Sequence, residues 1–529
     1  MSRLSLLWLL VLCSCGLTRP LADEDFKLNH DREAITRKKV FLSEKGNTKP
    51  DAPNIIWIIV DDLGISDTDL YGGGTVPVPN INKLADQGIR FSNAYVTAPI
   101  CGPSRAAILT GRYNQRFGFE HQQHNRYLKN KLEYMGFKFF VNSKPWYPQK
   151  QDSVPNQEFI NAVGLPPSEI TIAEELKKYG YHTGLFGKWH LGNHPDKTPN
   201  AFGFDEFYGF LNSHSLYANE EDMSIVSIKN KKDWTDKYIW ADQREGLSAI
   251  ERNGTVIPEN RYLTTAITDE AIRFMDKSHN PYFAVLSYNA PHTPFQAPKW
   301  AFDQWELEND PVKRVYAAII TALDLEIGRL VSHLEEAGQL ENTLVFFISD
   351  NGGAEYTYAT ENGEYKGGKL TNFEGGLKVP MFITWPEKIK GGSDFEFAVS
   401  ALDLFATTLA CVTPDKPLNA LDGKNLLTSL DKDIAPHDYL YFRRGYNHSV
   451  RSSKYKLIWN SFSGDSLIYD LKNDPYEQKN VFIEVPDEEK EKLIRAYQRW
   501  EMGTISPSWP PMIDFKYKDD EGNIYWFEN

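Results

Sequence analysis

A cysteine opens a predicted helix in the pentapeptide Cys101-Gly102-Pro103-Ser104-Arg105. Pro103 has the fixed φ that suits a first helical turn, and the helical pattern continues through Leu109 and stops at Gly111. Because a helix start presents free N–H groups and a partial positive charge, it suits an anion. Arg105 adds a planar cation that can grip an oxyanion. The alternative is a buried cysteine beside a surface arginine, since short motifs recur by chance.

Hard oxygen donors follow two predicted strands. Asp61 and Asp62 come directly after one apolar run, and Asp350 and Asn351 come after another. Three carboxylates and one amide suit Ca²⁺ and, less well, Mg²⁺. Singly, aspartate and asparagine more often cap helices or form turns. As paired donors at two strand ends, they predict a metal site.

Further segments each present a lysine or a histidine. Lys188 and His190 follow a strand two residues apart, so an extended backbone would point both side chains the same way. His292 lies in a loop stiffened by prolines, and Lys369 lies in a glycine-rich loop. A cation and an imidazole can bind an anion and protonate a leaving group. The alternatives are a salt-bridged lysine, a structural histidine and a flexible surface loop.

Apolar strands that alternate with helices must position these side chains. The strands are predicted at Asn54–Val60, Tyr181–Phe186, Tyr282–Ser287 and Thr343–Ser349, and the helices at Asn80–Gly88, Ile172–Tyr179 and Val312–Ala337. This alternation predicts the α/β class, with a large mixed, mostly parallel sheet sandwiched by helices. In such sheets, sites gather beyond the carboxyl ends of the strands, which is where the paired oxygen donors fall.

The chain divides into a main domain at residues 51–425 and smaller parts. Residues 426–529 carry shorter alternating segments and a helix around Glu488–Trp500, which predict a small α+β subdomain with an antiparallel sheet. Residues 121–170 have weak periodicity and are expected to be a long excursion over the surface. Residues 23–50 are polar and charged, and predict a flexible N-terminal arm.

Charge and the N-terminus restrict the function further. The 529 residues have a net charge of −14, which disfavours nucleic acid as a partner because a polyanion needs a basic surface. Residues 1–22 have the pattern of an export signal peptide, whose apolar run is too short to span a bilayer. Leu12-Cys13-Ser14-Cys15 resembles a lipoprotein box that would place a lipid anchor on Cys15, although ordinary cleavage fits equally. We expect an exported chain, periplasmic, at the cell surface or secreted, with no transmembrane span. Cys101 and Cys411 could then form a disulfide.

The pentapeptide, with Thr110-Gly111-Arg112 after it, resembles the signature of the type I sulfatases, which are formylglycine-dependent enzymes of the alkaline-phosphatase-like superfamily. Further family-like segments recur in the expected order over roughly residues 53–480: Asp61-Asp62, Gly187 to Gly192, Pro291-His292, Asp350-Asn351-Gly352, Lys369 before Glu374-Gly375-Gly376, and Tyr469-Asp470-Leu471 with Asp474-Pro475 and Glu477. Each segment alone is a weak signal, but together they are specific. The resemblance implies an alkaline-phosphatase-like fold, a sulfatase catalytic domain at residues 51–425, and sulfuric ester hydrolase activity.

The resemblance also implies a modified residue and a metal. Cys101 would be converted to Cα-formylglycine (3-oxoalanine) by a formylglycine-generating or sulfatase-maturing enzyme. One hydroxyl of the hydrated aldehyde would attack sulfur, and the other would let the carbonyl re-form as sulfate leaves. One Ca²⁺ ion would draw charge from the sulfate. The implied metal ligands are Asp61, Asp62, Asp350, Asn351 and modified Cys101.

The remaining catalytic roles come from the same resemblance. Arg105 would support the hydrated aldehyde. Lys188 and Lys369 would bind the sulfate oxygens. His292 would protonate the departing alcohol, and His190 would assist at the hydrated aldehyde.

We expect a bacterial enzyme whose substrate is a sulfated polysaccharide or oligosaccharide, such as ulvan or carrageenan, or a host glycosaminoglycan. Candidate sugar contacts in the surface excursion are His121, His124, Arg126, Trp146 and Tyr147, with plain loop packing as the alternative reading. Two other functions stay open. One is a phosphoester or phosphonate hydrolase of the same superfamily, against which the cysteine and the single-metal ligand set argue. The other is a non-catalytic carbohydrate-binding protein with a silent site.

Overall fold

The computed structural model of the chain describes residues 19–21, 26, 28, 31–47, 49, 51–279, 281–413 and 421–529. The apolar run and the cysteines of the predicted export signal lie outside the described residues. Within these ranges, none of the helices combines the length and the apolar character that a bilayer crossing requires.

The α-helices of the described residues are distributed along the whole chain. They are α1 Arg32–Ser43, α2 Pro79–Asp86, α3 Cys101–Thr110, α4 Lys131–Phe140, α5 Gln157–Ala162, α6 Ile172–Lys177, α7 Asp236–Asp242, α8 Leu263–Lys277, α9 Lys299–Asp303, α10 Pro311–Glu336, α11 Glu374–Leu377, α12 Asp403–Val412, α13 Leu426–Lys432 and α14 Asp487–Glu501.

The strands fall into one large sheet and several small ones. They are β1 Asn54–Asp61, β2 Gly88–Phe91, β3 Ala94–Tyr95, β4 Trp146–Pro148, β5 His182–Lys188, β6 Glu206–Phe210, β7 Ile225–Ile228, β8 Glu251–Arg252, β9 Thr255–Val256, β10 Tyr282–Pro291, β11 Phe295–Pro298, β12 Thr343–Ser349, β13 Met381–Thr384, β14 Ser393–Phe395, β15 Val399–Ser400, β16 Leu440–Arg444, β17 Asn447–Arg451, β18 Tyr455–Asn460, β19 Ser466–Asp470, β20 Ile513–Lys518 and β21 Ile524–Glu528.

Ten strands form the central sheet, in the order β14-β2-β13-β12-β1-β10-β5-β6-β8-β9. Its middle strands β12, β1, β10, β5 and β6 run parallel, whereas β13 and β8 run antiparallel to their neighbours. The central strand β1 is apolar from residue 55 to residue 60 because both faces are covered: Ile55 and Trp57 pack into one core, and Ile56 and Ile58 into the other. The predicted α/β class with a mostly parallel sheet is confirmed.

The carboxyl ends of four parallel strands meet at one edge of this sheet. β1 ends at Asp61, β5 at Lys188, β10 at Pro291 and β12 at Ser349. Asp61 pairs with Pro291 across a shift in register. The four strands therefore deliver the chemically interesting segments that follow them to the same place.

Two antiparallel sheets lie in the C-terminal part of the chain. The predicted one has the order β16-β17-β18-β19, and Trp500 of α14 packs in its core beside Val450. The second, β21-β20-β4, pairs Phe515 with Trp146 and so joins the end of the chain to the surface excursion. The sequence did not predict this second sheet, because β4 has only three residues and its partner strand is remote in sequence.

The segment expected to be a flexible arm contains a helix. Asp31 caps α1 by accepting a hydrogen bond from the Ala34 N–H. Lys38, on the same helix, is buried and pairs with Glu174 at 2.7 Å. The sequence analysis missed this helix because the segment is polar and lacks the apolar stripe that predicts a packed helix. A buried ion pair holds the helix in place instead.

A buried charge cluster fastens the C-terminal sheet to the main domain. Lys456 Nζ on β18 lies 2.8 Å from Glu374 Oε1 and 3.0 Å from Glu477 Oε1. Tyr95 donates to Glu374 Oε2 at 2.6 Å, and the Glu374 N–H donates to Glu477 Oε2 at 2.6 Å. All of these side chains are buried. Because Glu374 ends the glycine-rich loop that contains Lys369, the cluster holds that loop in place.

We expect Lys456→Ala to lower the free energy of unfolding by about 3 kcal/mol or more, because it removes the ion-pair partner that two buried carboxylates share. Urea denaturation would measure the loss. Lys454→Ala, which changes an exposed lysine two residues away, is the matched control and should cost little. Equal effects of the two substitutions would contradict the role of the cluster.

Candidate active site

Two consecutive carboxylates stand where β1 ends. Asp61 is the last residue of the strand, and Asp62 leaves it with a positive φ of 64°. The Asp62 N–H donates to Asp350 Oδ1 at 3.2 Å, and Asn351 Nδ2 donates to Asp62 Oδ1 at 2.7 Å. All four side chains are buried. The oxygen donors predicted at two strand ends are therefore in direct contact.

Cys101 is the first residue of α3, and every residue of that helix is buried. Its Sγ lies 3.3 Å from Asp61 Oδ1 and 3.7 Å from Asp62 Oδ1. Burial, followed by the charges of Asp350 and Asp61, raises the pKa of the Cys101 thiol well above its ordinary value, so the thiol stays protonated. Cys101 and Cys411 are both free, so the disulfide considered from the sequence is not formed.

Three buried cations face the three carboxylates of the site. Each cation is a residue that the sequence analysis had singled out, and each lies against a different aspartate. The pairs are Lys188 Nζ with Asp61 Oδ2 at 2.6 Å, Lys369 Nζ with Asp62 Oδ1 at 2.7 Å, and Arg105 Nε with Asp350 Oδ2 at 2.7 Å. Opposite charges are thus matched one to one where water is excluded, which is the condition under which buried charge is tolerated.

The cations keep two of the carboxylates ionised. Burial by itself raises the pKa of Asp61, but the surrounding positive charges, of which that of Lys188 is the largest, outweigh burial and hold the pKa below its ordinary value. Asp62 follows the same pattern, with Lys369 as the largest opposing charge. A cation that approached these side chains would therefore meet carboxylates that are already anionic.

Two histidines complete the cluster. His292 Nε2 lies 3.7 Å from Asp62 Oδ2, while its Nδ1 faces the backbone oxygen of Thr293. Burial lowers the pKa of His292 to about 4, so the ring is neutral at pH 7. The prediction that His190 continues an extended segment is wrong, because β5 ends at Lys188 and His190 has a φ of 59°. Its ring is nevertheless buried, and burial, followed by the charge of Lys188, lowers its pKa well below the ordinary value.

Several polar atoms of this cluster are buried without a hydrogen-bond partner. They are Asn351 Oδ1, His190 Nδ1 and Arg105 Nη2. Because buried polar atoms are normally satisfied, each of these three atoms is a candidate contact for a ligand or a bound water. Candidate ligand atoms that all lie within 4.8 Å of one another come from Asp61, Asp62, Cys101 and His292. Carboxylate oxygens beside a free amide oxygen fit a hard divalent cation such as Ca²⁺.

The sequence profile of the Sulfatase family matches residues 53–413 of this chain. The chain belongs to the sulfatase family. A second profile, described as N-sulphoglucosamine sulphohydrolase, C-terminal, matches residues 367–500. The predictions of a sulfuric ester hydrolase and of an alkaline-phosphatase-like fold are confirmed.

Known relatives agree with this assignment. The N-acetylgalactosamine-6-sulfatase of Homo sapiens is 31% identical over 404 residues, which cover 75% of this chain and 69% of the relative. The crystal structure of Ps i-CgsB has a TM-score of 0.70 at 31% identity, and the match covers 87% of this chain and 94% of the other. The complex of Ps i-CgsB with k-i-k-neocarrahexaose has a TM-score of 0.69 at 32% identity, with the same coverage of 87% and 94%.

Two residues of the sulfatase site carried no signal in the sequence. Ser287 accepts a hydrogen bond from Arg105 and donates to the backbone oxygen of Lys188 at 2.6 Å. The Tyr217 hydroxyl lies 2.8 Å from the backbone oxygen of His292, so it holds the loop on which that ring stands. Ser287 lies inside β10, and Tyr217 lies between β6 and β7, so neither stands in a recognisable pattern.

The candidate sugar contacts of the surface excursion lie in different environments. Trp146 is buried between the rings of Tyr356 and Phe515, at 5.1 and 5.3 Å. His121 is buried, and burial lowers its pKa to about 3. Both side chains pack the interior, which corrects the expectation that they contact sugar. The other three are at least partly exposed: His124, Arg126 and Tyr147.

Proposed function

We propose that this sulfatase removes sulfate from a sulfated polysaccharide or oligosaccharide outside the cytoplasm, with Cys101 matured to formylglycine and one bound Ca²⁺ ion. The observation that carries the proposal is the position of Cys101, whose Sγ lies 3.3 Å from Asp61 Oδ1 at the start of α3. A carbohydrate substrate is supported by a relative named N-acetylgalactosamine-6-sulfatase and by a structural neighbour bound to neocarrahexaose. Export rests on the pattern of residues 1–22 alone.

The surroundings of residue 101 suit a nucleophile that carries hydroxyl groups. The hydrate of formylglycine would supply two hydroxyls on one carbon, one to attack and one to release the product. The Asp61 carboxylate, 3.3 Å from Sγ, is close enough to accept a proton from a group at this position. His190 offers its unpartnered Nδ1 as a second proton acceptor.

The same side chains form a ligand set for a divalent cation. Its members are Asp61, Asp62, Asp350, Asn351 and modified Cys101. When bound, Ca²⁺ would withdraw charge from the sulfate oxygens. The lysines keep Asp61 and Asp62 anionic, as a metal ligand must be, and Arg105 holds Asp350 through its Nε at 2.7 Å.

Lys188 and Lys369 provide positive charge for the sulfate group. An ammonium group has three N–H donors, and each lysine donates here to a single aspartate. A carboxylate has two oxygens, so at least one donor of each lysine remains for the sulfate. Both side chains are buried, where an ionic contact is stronger than in water. Fixed donors of this kind stabilise charge that develops on sulfate oxygens without reorganising during the reaction.

His292 is placed to act on the leaving alcohol. Its Nδ1 faces the Thr293 carbonyl, so Nε2 is the atom turned to the site. An adjacent sulfate monoester anion favours protonation of Nε2, which can then donate to the departing oxygen. Tyr217 fixes the position of the ring through the backbone oxygen of His292.

The modification of Cys101 is tested by mass and by turnover. After co-expression with a maturing enzyme, the peptide that contains residue 101 should be about 18 Da lighter than the unmodified peptide, because one oxygen replaces sulfur and two hydrogens. Cys101→Ala should abolish hydrolysis of a sulfate ester while circular dichroism shows a retained fold. Cys411→Ala, at the other buried free thiol, is the matched control and should keep full turnover.

Hydrolysis of a sulfate ester by protein in which mass spectrometry finds residue 101 as unmodified cysteine would contradict this role. Faster hydrolysis of phosphate esters than of sulfate esters would favour the phosphoesterase alternative. The carbohydrate-binding alternative would be favoured if the protein binds a sulfated sugar, contains no aldehyde at residue 101 and does not hydrolyse the ester.

The metal is tested by thermal stability, which does not depend on activity. Ca²⁺ added to chelator-treated protein should raise Tm by mass action. Asn351→Ala should reduce that shift, because it removes the free amide oxygen of the site. Asp67→Asn is the matched control: this buried carboxyl is bonded to Tyr316 at 2.7 Å, lies outside the ligand set and should leave the Ca²⁺ response intact. An unchanged Tm of the unsubstituted protein at saturating Ca²⁺ would rule the site out.

The acid role of His292 predicts a dependence on the leaving group. His292→Ala should slow hydrolysis of a sugar sulfate about 100-fold more than that of 4-nitrophenyl sulfate, whose phenolate leaves without a proton. Tyr217→Phe should shift the same ratio of kcat values by less. Tyr262→Phe removes a hydroxyl that bonds to the backbone oxygen of Gln296 at 3.1 Å, and it should leave the ratio unchanged. Equal losses on both substrates would remove His292 from this role.

A further inference from the structure

One short segment of this acidic chain is positively charged. Residues 126–150 contain six Lys and Arg residues and a single acidic residue, Glu133, within a chain of net charge −14. Arg126 pairs with Glu133 at 2.8 Å. The five lysines, by contrast, form no ion pair with any described residue; they are Lys129, Lys131, Lys138, Lys144 and Lys150. Their charge is therefore available to a partner.

Helix α4 lies inside this stretch and turns an apolar stripe to solvent. No residue of the helix is buried. The exposed side chains of Leu132, Met135 and Phe139 are three and four residues apart, the spacing of a single helix face, and two of the unpaired lysines border them. We call this set the α4 patch; its exposed apolar members are Leu132 (50% exposed), Met135 (39%), Phe139 (66%) and Phe140 (87%), and its cations are Lys131 and Lys138.

The opposite side of α4 rests on the wall of the active site. The ring of Phe137 meets Trp234 edge-on at 5.1 Å. Trp234 in turn packs against a core cluster that contains Ile100 and Leu370, which are the sequence neighbours of Cys101 and Lys369. Lys369 is one of the two lysines of the site. Packed side chains therefore link α4 to the active site.

We propose that the α4 patch binds a sulfated polysaccharide chain at sugars other than the one that loses its sulfate. The inference rests on the proposed function in taking a sulfated carbohydrate as the substrate. The unpaired lysines match sulfate esters that repeat along such a chain, and exposed aromatic rings suit the apolar faces of sugars. A lipid surface could engage the same kinds of residue. The substrate chain is favoured because α4 packs on a wall of the active site.

Binding to a polymer that cannot be turned over tests the patch directly. The full-length Cys101→Ala chain is titrated with ι-carrageenan and with the same polymer after chemical desulfation. We expect Lys131→Glu with Lys138→Glu to weaken binding of the sulfated polymer about fivefold or more, and the difference to shrink as salt is raised. Phe139→Ser with Phe140→Ser should weaken it as well, without the salt dependence.

Matched controls use equally exposed residues elsewhere. Lys390→Glu with Lys432→Glu repeats the charge change, and Phe462→Ser removes an aromatic ring that is 85% exposed. Both should bind the polymer like the parent chain. In the chain that retains Cys101, the α4 substitutions should lower the ratio of kcat/KM for the polymer to kcat/KM for 4-nitrophenyl sulfate, mainly through KM.

The outcomes separate this inference from the proposed function. Polymer that is bound through the patch but not desulfated would defeat the proposed function and leave the inference standing. Polymer affinity that is absent, or unchanged by both pairs of α4 substitutions, would overturn the inference whatever the turnover. Binding to vesicles of phosphatidylglycerol that depends on the patch, with polymer binding unaffected, would overturn it in favour of a membrane surface.

Discussion

Every carboxylate of the sulfatase site lies against a cation, and this pairing ties together the elements that build the site. Asp61 with Lys188 joins β1 to β5, and Asp350 with Arg105 joins the end of β12 to α3. Asp62 with Lys369 joins the end of β1 to the glycine-rich loop. A buried charge without a partner costs several kcal/mol, so no one of these elements can shift independently of its partner. The parallel order β12-β1-β10-β5 brings the strand ends close enough to satisfy all three pairs.

The same pairing prepares the site for chemistry. It keeps the Asp61 and Asp62 carboxylates anionic, and it holds two ammonium groups beside Cys101 at no cost in unpaired charge. Three polar atoms of the site have no hydrogen-bond partner among the described residues: the amide oxygen of Asn351, an imidazole nitrogen of His190 and a guanidinium nitrogen of Arg105. A ligand that supplies partners to these atoms gains hydrogen bonds in a dry environment, where they are stronger than in water. Such a site is organised before the substrate arrives, so little reorganisation is left for the reaction itself.

Local patterns predicted much of this architecture. β1 reads as a buried strand because both of its faces are apolar, and Cys101 reads as a helix start because Pro103 and Gly111 bracket the helix. The oxygen donors at strand ends were predicted to converge, and they do. Features set by distant parts of the chain were missed. His190 leaves the extended conformation because of the turn after β5, Tyr217 acts through a backbone oxygen, and β4 finds its partner only in the folded chain. None of these contacts leaves a periodic trace in the sequence.

The second C-terminal sheet gives the surface excursion a rigid base. β4 follows α4 and pairs with β20, so the end of the chain fixes the excursion against the body. A protein of net charge −14 repels a polyanionic chain at long range, and that repulsion must be overcome locally for such a chain to reach Cys101. In the proposed role of the α4 patch, its unpaired lysines provide this attraction without adding charge to the balanced centre. Under this proposal, one set of side chains binds the long substrate and another set cleaves its ester. Substitutions in α4 can therefore alter polymer binding without altering the catalytic centre, because none of the three ion pairs at the strand ends involves a residue of α4.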